Sequence, residues 1–148
     1  LKAAVLHGPG DVRFEEIPDP KPAPGEIVIK TLAALTCGTD LKVVRRGYHA
    51  RMLHLPCVLG HEAAGRITAV GDGVTSWRVG DLVVAANSAP CGACPHCNRG
   101  RDSQCDDLLF WNGAFAEAFA VPSRVVARNT LRLGGVSPED AAMTEPLA

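Results

Sequence analysis

The chain has 148 residues, 47% of them hydrophobic and 21% charged, with a formal net charge of −1. That is enough for about one domain with a real core. The basic residues are scattered, densest at Arg45-Arg46 and Arg99 to Arg101, which is not the footprint of a nucleic-acid binder. No apolar run approaches the ~20 residues of a membrane span. No charged-then-apolar leader resembles a signal peptide. The expectation is a protein that binds neither nucleic acid nor membrane. Aromatic residues make up only 5%, so the core should be built mostly from Val, Leu, Ile and Ala.

In chain order, Lys2 to Leu6 reads as a short strand. The turn signal Gly8-Pro9-Gly10-Asp11 and the alternation of Val12, Phe14 and Glu16 after it predict a hairpin. Pro18, Pro20, Pro22 and Pro24 keep the next stretch extended and irregular. Ile27 to Leu35 is a core strand. Thr39 or Asp40 is a candidate cap for a short helix running through Arg46 and ended by Gly47. Ala63 to Val70 and Leu82 to Ala86 are strands, the first closed by Gly71-Asp72-Gly73 and the second opened by Gly80-Asp81. A cysteine-rich excursion follows. Ala116 to Val121 and Arg124 to Ala127 return to strand character. Ser137-Pro138-Glu139-Asp140 starts a helix, with Ser as N-cap, Pro at the first position and acids in the first turn. The whole reads as a mainly β, barrel-like domain with short helices and a metal-stapled lobe at residues 90–106, its turns placed by 15 glycines and 11 prolines.

The excursion carries the sharpest chemical signal. Cys91, Cys94, Cys97 and Cys105 are spaced C-x2-C-x2-C-x7-C in a loop rich in Gly and Pro. Four thiolates this close can enclose a tetrahedral Zn²⁺ as a closed, structural site. Buried apolar cysteines or disulfides do not favour repeated two-residue gaps in such a loop. The bacterial ferredoxin run ends on a three-residue gap and a proline, whereas here the last gap is seven residues and Asp106 follows. Six cysteines with metal-like spacing and no leader point to a reducing, cytoplasmic setting.

A second pair of candidate ligands stands apart. Cys37 follows a core strand and precedes a helix, a position that favours the thiolate a metal needs. His61 lies in Gly60-His61-Glu62. A lone Cys at a strand end is ordinarily packing and a lone His ordinarily a satisfied polar group. With Glu62 adjacent and Asp40 available as an outer partner, the two could bind a zinc that keeps a position open. Spacing alone does not decide between the readings.

Gly60-His61-Glu62-Ala63-Ala64-Gly65, with Gly71 and Val74 downstream, resembles the signature of zinc-containing alcohol dehydrogenases of the medium-chain dehydrogenase/reductase superfamily. Cys37-Gly38-Thr39-Asp40, the four-cysteine lobe, Asn112 to Glu117 and Glu145-Pro146-Leu147-Ala148 match in the same order, so the resemblance covers essentially the whole chain. The subgroup it looks most like is the polyol (sorbitol), threonine and glucose dehydrogenases, because Glu145 stands where liver-type enzymes carry a cysteine.

The resemblance implies a GroES-like catalytic domain over residues 1–148. It implies a catalytic zinc on Cys37 and His61, with Glu62 or Glu145 as carboxylate partner, and a structural zinc on Cys91, Cys94, Cys97 and Cys105. Thr39 would hydrogen-bond the substrate hydroxyl and Asp40 would orient His61. The implied reaction is oxidation of a secondary alcohol or polyol by hydride transfer to NAD or NADP, and the implied partner is that small alcohol. The resemblance leaves room for a homo-oligomer of a full-length protein. The alternative from another class is a zinc-stapled binding module with no redox activity.

Two departures qualify the resemblance. The family carries a Rossmann domain after this point, and no G-x-G-x-x-G occurs in these residues. The chain begins at Leu1, stops in mid-pattern and reads as a segment of something longer, so by itself it is expected to be inactive. Many relatives carry a relay histidine five residues after the catalytic cysteine, where this chain has Lys42. A lysine's unperturbed pKa, about 10.4, makes it a poor shuttle near neutrality. Cys57 reads as a small buried hydrophobe, and Tyr48, His49, His54 and Trp111 as surface or core residues before pocket residues. His7 and His96 are given no role.

Overall fold

The computed structural model describes residues 1–147. The architecture is mainly β. β1 (Lys2–Gly8) and β2 (Asp11–Glu16) form the expected hairpin, and β4 (Cys57–Val58) pairs with the other edge of β1. The main sheet has five strands in the order β10-β6-β5-β3-β9, built from β3 (Ile27–Leu35), β5 (Glu62–Val70), β6 (Leu82–Ala85), β9 (Ala118–Val121) and β10 (Thr130–Arg132). All its pairs are antiparallel. A two-stranded ribbon, β7 (Ser88–Ala89) with β8 (Leu109–Phe110), carries the cysteine lobe on its tip. Backbone bonds from Ala4 to Phe115 and from Leu59 to Ala4 join the hairpin sheet to the rest, closing the barrel-like shape.

The core is aliphatic, as the composition requires. Ile27, Ile29, Ile67, Val83, Val121 and Val125 are completely buried. The two large aromatic members are Trp111 and Phe119, stacked with ring centroids 5.0 Å apart. Burying each of the larger aliphatic side chains is worth about 1.5–3 kcal/mol. That is why β3, buried on both faces at Ile27, Val28 and Ile29, holds the middle of the sheet.

Three expectations need correction. The stretch Arg124 to Ala127 is helical: α2 spans Ser123–Arg128 and begins directly after Pro122. Val125 and Val126 are both buried, and adjacent residues can share one buried face on a helix but not on a strand. The strand at this point is instead β10, which the sequence reading lacks. The cap of α1 (Gly38–Arg46) is Cys37, with neither Thr39 nor Asp40 in that position. Asp40 takes the third helical position, and its Oδ2 accepts from the Cys37 N–H at 3.0 Å, the reciprocal half of a capping box. Gly47 closes the helix in the left-handed conformation, as expected. The sequence names two helices, α1 and the one starting at Ser137, which is α3 (Pro138–Ala142); the structure adds α2 and α4 (Thr144–Leu147). Ser137 caps α3, accepting from the Asp140 N–H at 3.1 Å.

Candidate metal centres

The register of β3 against β5 builds the inner site. Leu35 pairs with Glu62, so the chain leaving β3 and the chain entering β5 meet at one end of the sheet. Cys37 and His61, 24 positions apart in sequence, come together there with Sγ and Nε2 3.3 Å apart. Gly60 makes the approach possible. Its φ is 88°, and a Cβ at that position would land in the Phe115 ring. The backbone N–H groups of Gly113 and Ala114 bond to the Gly60 carbonyl, and that of Phe115 to the Leu59 carbonyl. The Asn112 to Glu117 motif is therefore the buttress behind His61. Gly65 serves the same end of the sheet, since a Cβ there would strike the Lys30 carbonyl on β3.

Cys37, His61 and Glu62 each direct one donor atom into a space where all three lie within 4.8 Å of one another. His61 and Glu62 are buried, at 3% and 2% exposure, and Cys37 is half-buried. The Sγ–Nε2 separation suits a shared ion: tetrahedral bonds of about 2.3 Å to sulfur and 2.0–2.1 Å to nitrogen put those atoms roughly 3.5 Å apart. The other ring nitrogen, Nδ1, is buried with no aligned hydrogen bond, 3.4 Å from Asp40 Oδ1. Asp40 is thus placed to orient the ring, as outer partners of metal-bound histidines do. Burial alone would lower the His61 pKa, but the Asp40 carboxylate and Cys37 together lift it to about 9. Burial likewise opposes the charge on Asp40, and His61 and the Cys37 amide more than offset it, holding the carboxyl below its usual range. The Thr39 N–H donates to Cys37 Sγ at 3.2 Å, which seats Thr39 on the first turn of α1 beside the cysteine.

Glu145, on α4, reaches the same end of the sheet but lies outside the three-donor set. Burial first, then the neighbouring Glu62 carboxylate, raise its pKa. Its Oε1 accepts from Asn87 Nδ2 at 2.7 Å. The sequence reading missed Asn87, a single amide after β6 with no pattern around it.

The outer site is the four-cysteine lobe. All six cysteines are free thiols. Cys91, Cys94, Cys97 and Cys105 place their sulfurs within 4.8 Å of one another, with Cys91–Cys97 and Cys94–Cys105 both at 4.0 Å. Sulfurs at the corners of a tetrahedron around an ion 2.3 Å away are about 3.8 Å apart; a disulfide is near 2.05 Å. Backbone N–H groups of Ala93 and Cys94 lower the Cys91 thiol to about 6, and those of Cys97 and Asp106 lower Cys94. Desolvation and its sulfur neighbours push Cys97 up to about 12. Four sulfurs facing one point at this spacing form a donor set that fits a zinc ion.

A family sequence profile described as the alcohol dehydrogenase GroES-like domain matches residues 23–130. The chain belongs to the zinc-containing alcohol dehydrogenases. Among these medium-chain dehydrogenase/reductase relatives, acryloyl-coenzyme A reductase of Sulfurisphaera tokodaii is 33% identical over 99% of this chain and 43% of its own length. Sorbitol dehydrogenase of Bacillus subtilis is 34% identical over the whole chain and 43% of its own length. The solved structure of galactitol-1-phosphate dehydrogenase from Escherichia coli superposes with a TM-score of 0.84 at 34% identity, covering 99% of this chain and 42% of that one. The chain therefore spans less than half the length of these relatives.

The remaining residues take plain places. Lys42 is exposed on α1. Cys57 is half-buried against Leu6, Val43 and Leu59, and desolvation raises its thiol pKa. Trp111 is core, its indole N–H donating to the Ala86 carbonyl. Tyr48 and His54 are exposed, and the His49 ring accepts from the Met52 N–H at 3.1 Å. His7 meets Glu15 at 2.8 Å across the hairpin. His96 approaches Asp106 at 3.7 Å, outside the four-sulfur set. No helix among the described residues is long and apolar enough to cross a membrane.

Proposed function

We propose that these residues form the catalytic domain of a zinc-dependent, NAD(P)-linked dehydrogenase acting on a secondary alcohol or polyol. The observation that carries this reading is the second donor set. A scaffold needs only the closed four-sulfur site, yet Cys37, His61 and Glu62 converge separately, with an incomplete ligand shell and a hydroxyl residue beside it. The polyol class rests on the relatives named for sorbitol and galactitol-1-phosphate.

Cys37, His61 and one carboxylate would hold the inner zinc, and Cys91, Cys94, Cys97 and Cys105 the structural one. A bound zinc with an open position supplies Lewis acidity that lowers the pKa of an alcohol. Thr39 accepts or donates the hydrogen bond of the substrate hydroxyl and so orients it. Asp40 holds the His61 ring with Nε2 towards Cys37. Glu62 neutralises the site without filling it. The hydride acceptor is NAD or NADP, for which the chain has no glycine fingerprint.

The test uses Co²⁺ in place of zinc at the inner site. Titration with secondary alcohols and polyols should change the Co²⁺ visible spectrum saturably, and Thr39→Val should weaken that response. If no alcohol of either class perturbs the spectrum, the dehydrogenase reading fails and the zinc-stapled module without redox activity takes its place.

A further inference from the structure

The inner site contains two carboxylates on different elements, and only one belongs to the donor set. Glu62 is the first residue of β5 and lies within 4.8 Å of the Cys37 and His61 donors. Glu145 comes from α4 and lies beside Glu62. Asn87 contacts one of them and not the other. Ala85 pairs with Ala63 at the end of β6, so the chain two residues on arrives at the end of the sheet where Glu62 begins. The backbone there is anchored on both sides: the Ala86 N–H bonds to the Asn129 carbonyl at 2.9 Å, and the Asn87 carbonyl accepts from the Trp111 N–H at 3.1 Å. The Asn87 amide is thus presented from a rigid, core-packed segment. Its Nδ2 donates to Glu145 Oε1 at 2.7 Å, a charge-assisted geometry.

We infer that Asn87 is a positioning residue that holds Glu145 in the outer position, so that Glu62 is the carboxylate of the inner metal site. This rests on reading that site as a metal centre. An amide suits the task for a chemical reason. It donates to a carboxylate without contributing charge, so it restrains Glu145 while leaving the charge of the donor set unchanged. A lysine or arginine there would neutralise the site, and an alanine would leave Glu145 free. α4 is a single turn at the end of the described chain, with Glu145 only half-buried. Without the amide, the Glu145 carboxylate loses the hydrogen bond that restrains it.

The experiment fills the four-cysteine site with zinc and titrates the inner site with Co²⁺, reading visible bands and affinity. In the wild-type background, Glu62→Gln should lower Co²⁺ affinity by at least about 10-fold, the lower end of the loss seen for outer-shell partners, while Glu145→Gln should stay within about threefold. Asn87→Ala should alter the Co²⁺ bands, and adding Glu145→Gln should restore the wild-type envelope. Asn87→Ala should also recover most of the affinity lost in Glu62→Gln, and that recovery should vanish in the triple variant. Should Glu62→Gln fail to fold, the band comparison of Asn87→Ala with Asn87→Ala/Glu145→Gln still decides, because a merely structural amide would not shift ligand-field bands in a Glu145-dependent way. The inference is overturned if Glu145→Gln alone costs as much as Glu62→Gln, or if Asn87→Ala leaves the bands unchanged. A Cys37→Ser variant that binds Co²⁺ as wild type does would instead overturn the metal reading beneath it, so the two failures are told apart.

Discussion

The two candidate metal centres are built in opposite ways. The four-cysteine lobe draws all its donors from 15 consecutive residues, Cys91 to Cys105, and two of the three gaps between them are a single short turn. Around it are 3-10 turns at Cys97–Arg99 and Asp102–Gln104 rather than long elements. The inner site draws on the end of β3, the start of α1, the start of β5 and, through Asn87 and Glu145, the end of β6 and α4. Barrel strands hold the inner donors in place; the lobe has few large apolar side chains, so its order is expected to come from a bound ion. Local donors make a site easy to read and dependent on metal, whereas dispersed donors make it hard to read and dependent on the fold.

The largest way to break this comparison is Cys94→Ser. Loss of one of four sulfurs should release the lobe's zinc and open residues 90–106 to proteolysis, while the five-stranded sheet keeps its protection. Unchanged resistance within the lobe would mean that its order does not come from metal. The matching test of the inner site is Gly60→Ala. A Cβ at φ 88° would both strain the backbone and enter the Phe115 ring, so stability should fall by about 2–4 kcal/mol, read as a lower Tm even after chelation. A loss seen only in the metal-loaded protein would put the defect in the ion site and not in the fold.

Chelation sharpens the contrast with a smaller effect. Four thiolates leave no vacancy, whereas Cys37, His61 and a carboxylate leave one, so a mild chelator should strip the inner site first. Metal analysis should show Cys37→Ser already lacking that ion while retaining the lobe's. Equal metal content in the variant and the wild type would remove Cys37 from the ligand set.

A further contrast lies in pH. In the metal-free protein, His61 has a folded pKa near 9 against a reference of 6.5. A raised value means that its charged form is favoured by folding. The stabilisation is complete below about 6.5 and is lost as pH rises through about 9. Asp40 has the opposite sense: its lowered pKa gives stability present above the unfolded value and lost as pH falls into the acid range. Denaturant melts of the chelated protein should therefore weaken between neutrality and pH 9, and His61→Gln should flatten that limb. Binding of zinc at the inner site should show the reverse trend, failing as pH drops and protons compete for the imidazole.

Much of this molecule was legible one residue at a time. Turn residues placed the β1–β2 hairpin, Ser137 and Pro138 placed the start of α3, and β-branched runs placed β3, β5 and β6 within a residue or two. The reading failed at residues 123–128, where the apolar pair Val125-Val126 is too short to show a period and its packing into the core decides for a helix. It failed again at Cys37, whose sulfur caps α1 in the role usually taken by an oxygen. Asn87 carried no sequence signal at all.

By itself the sequence determined the lobe's donor spacing and the longer strands β1, β2, β3, β5 and β6, because both depend on interactions between near neighbours: thiols a turn apart, and side chains alternating along a strand. Only the tertiary structure brings the inner donors together. The meeting of Cys37 with His61 depends on the register that sets Leu35 opposite Glu62, and the contact between Asn87 and Glu145 joins the chain just after β6 to α4. Those are distances between segments that share no local code, set by how the sheet packs and closes.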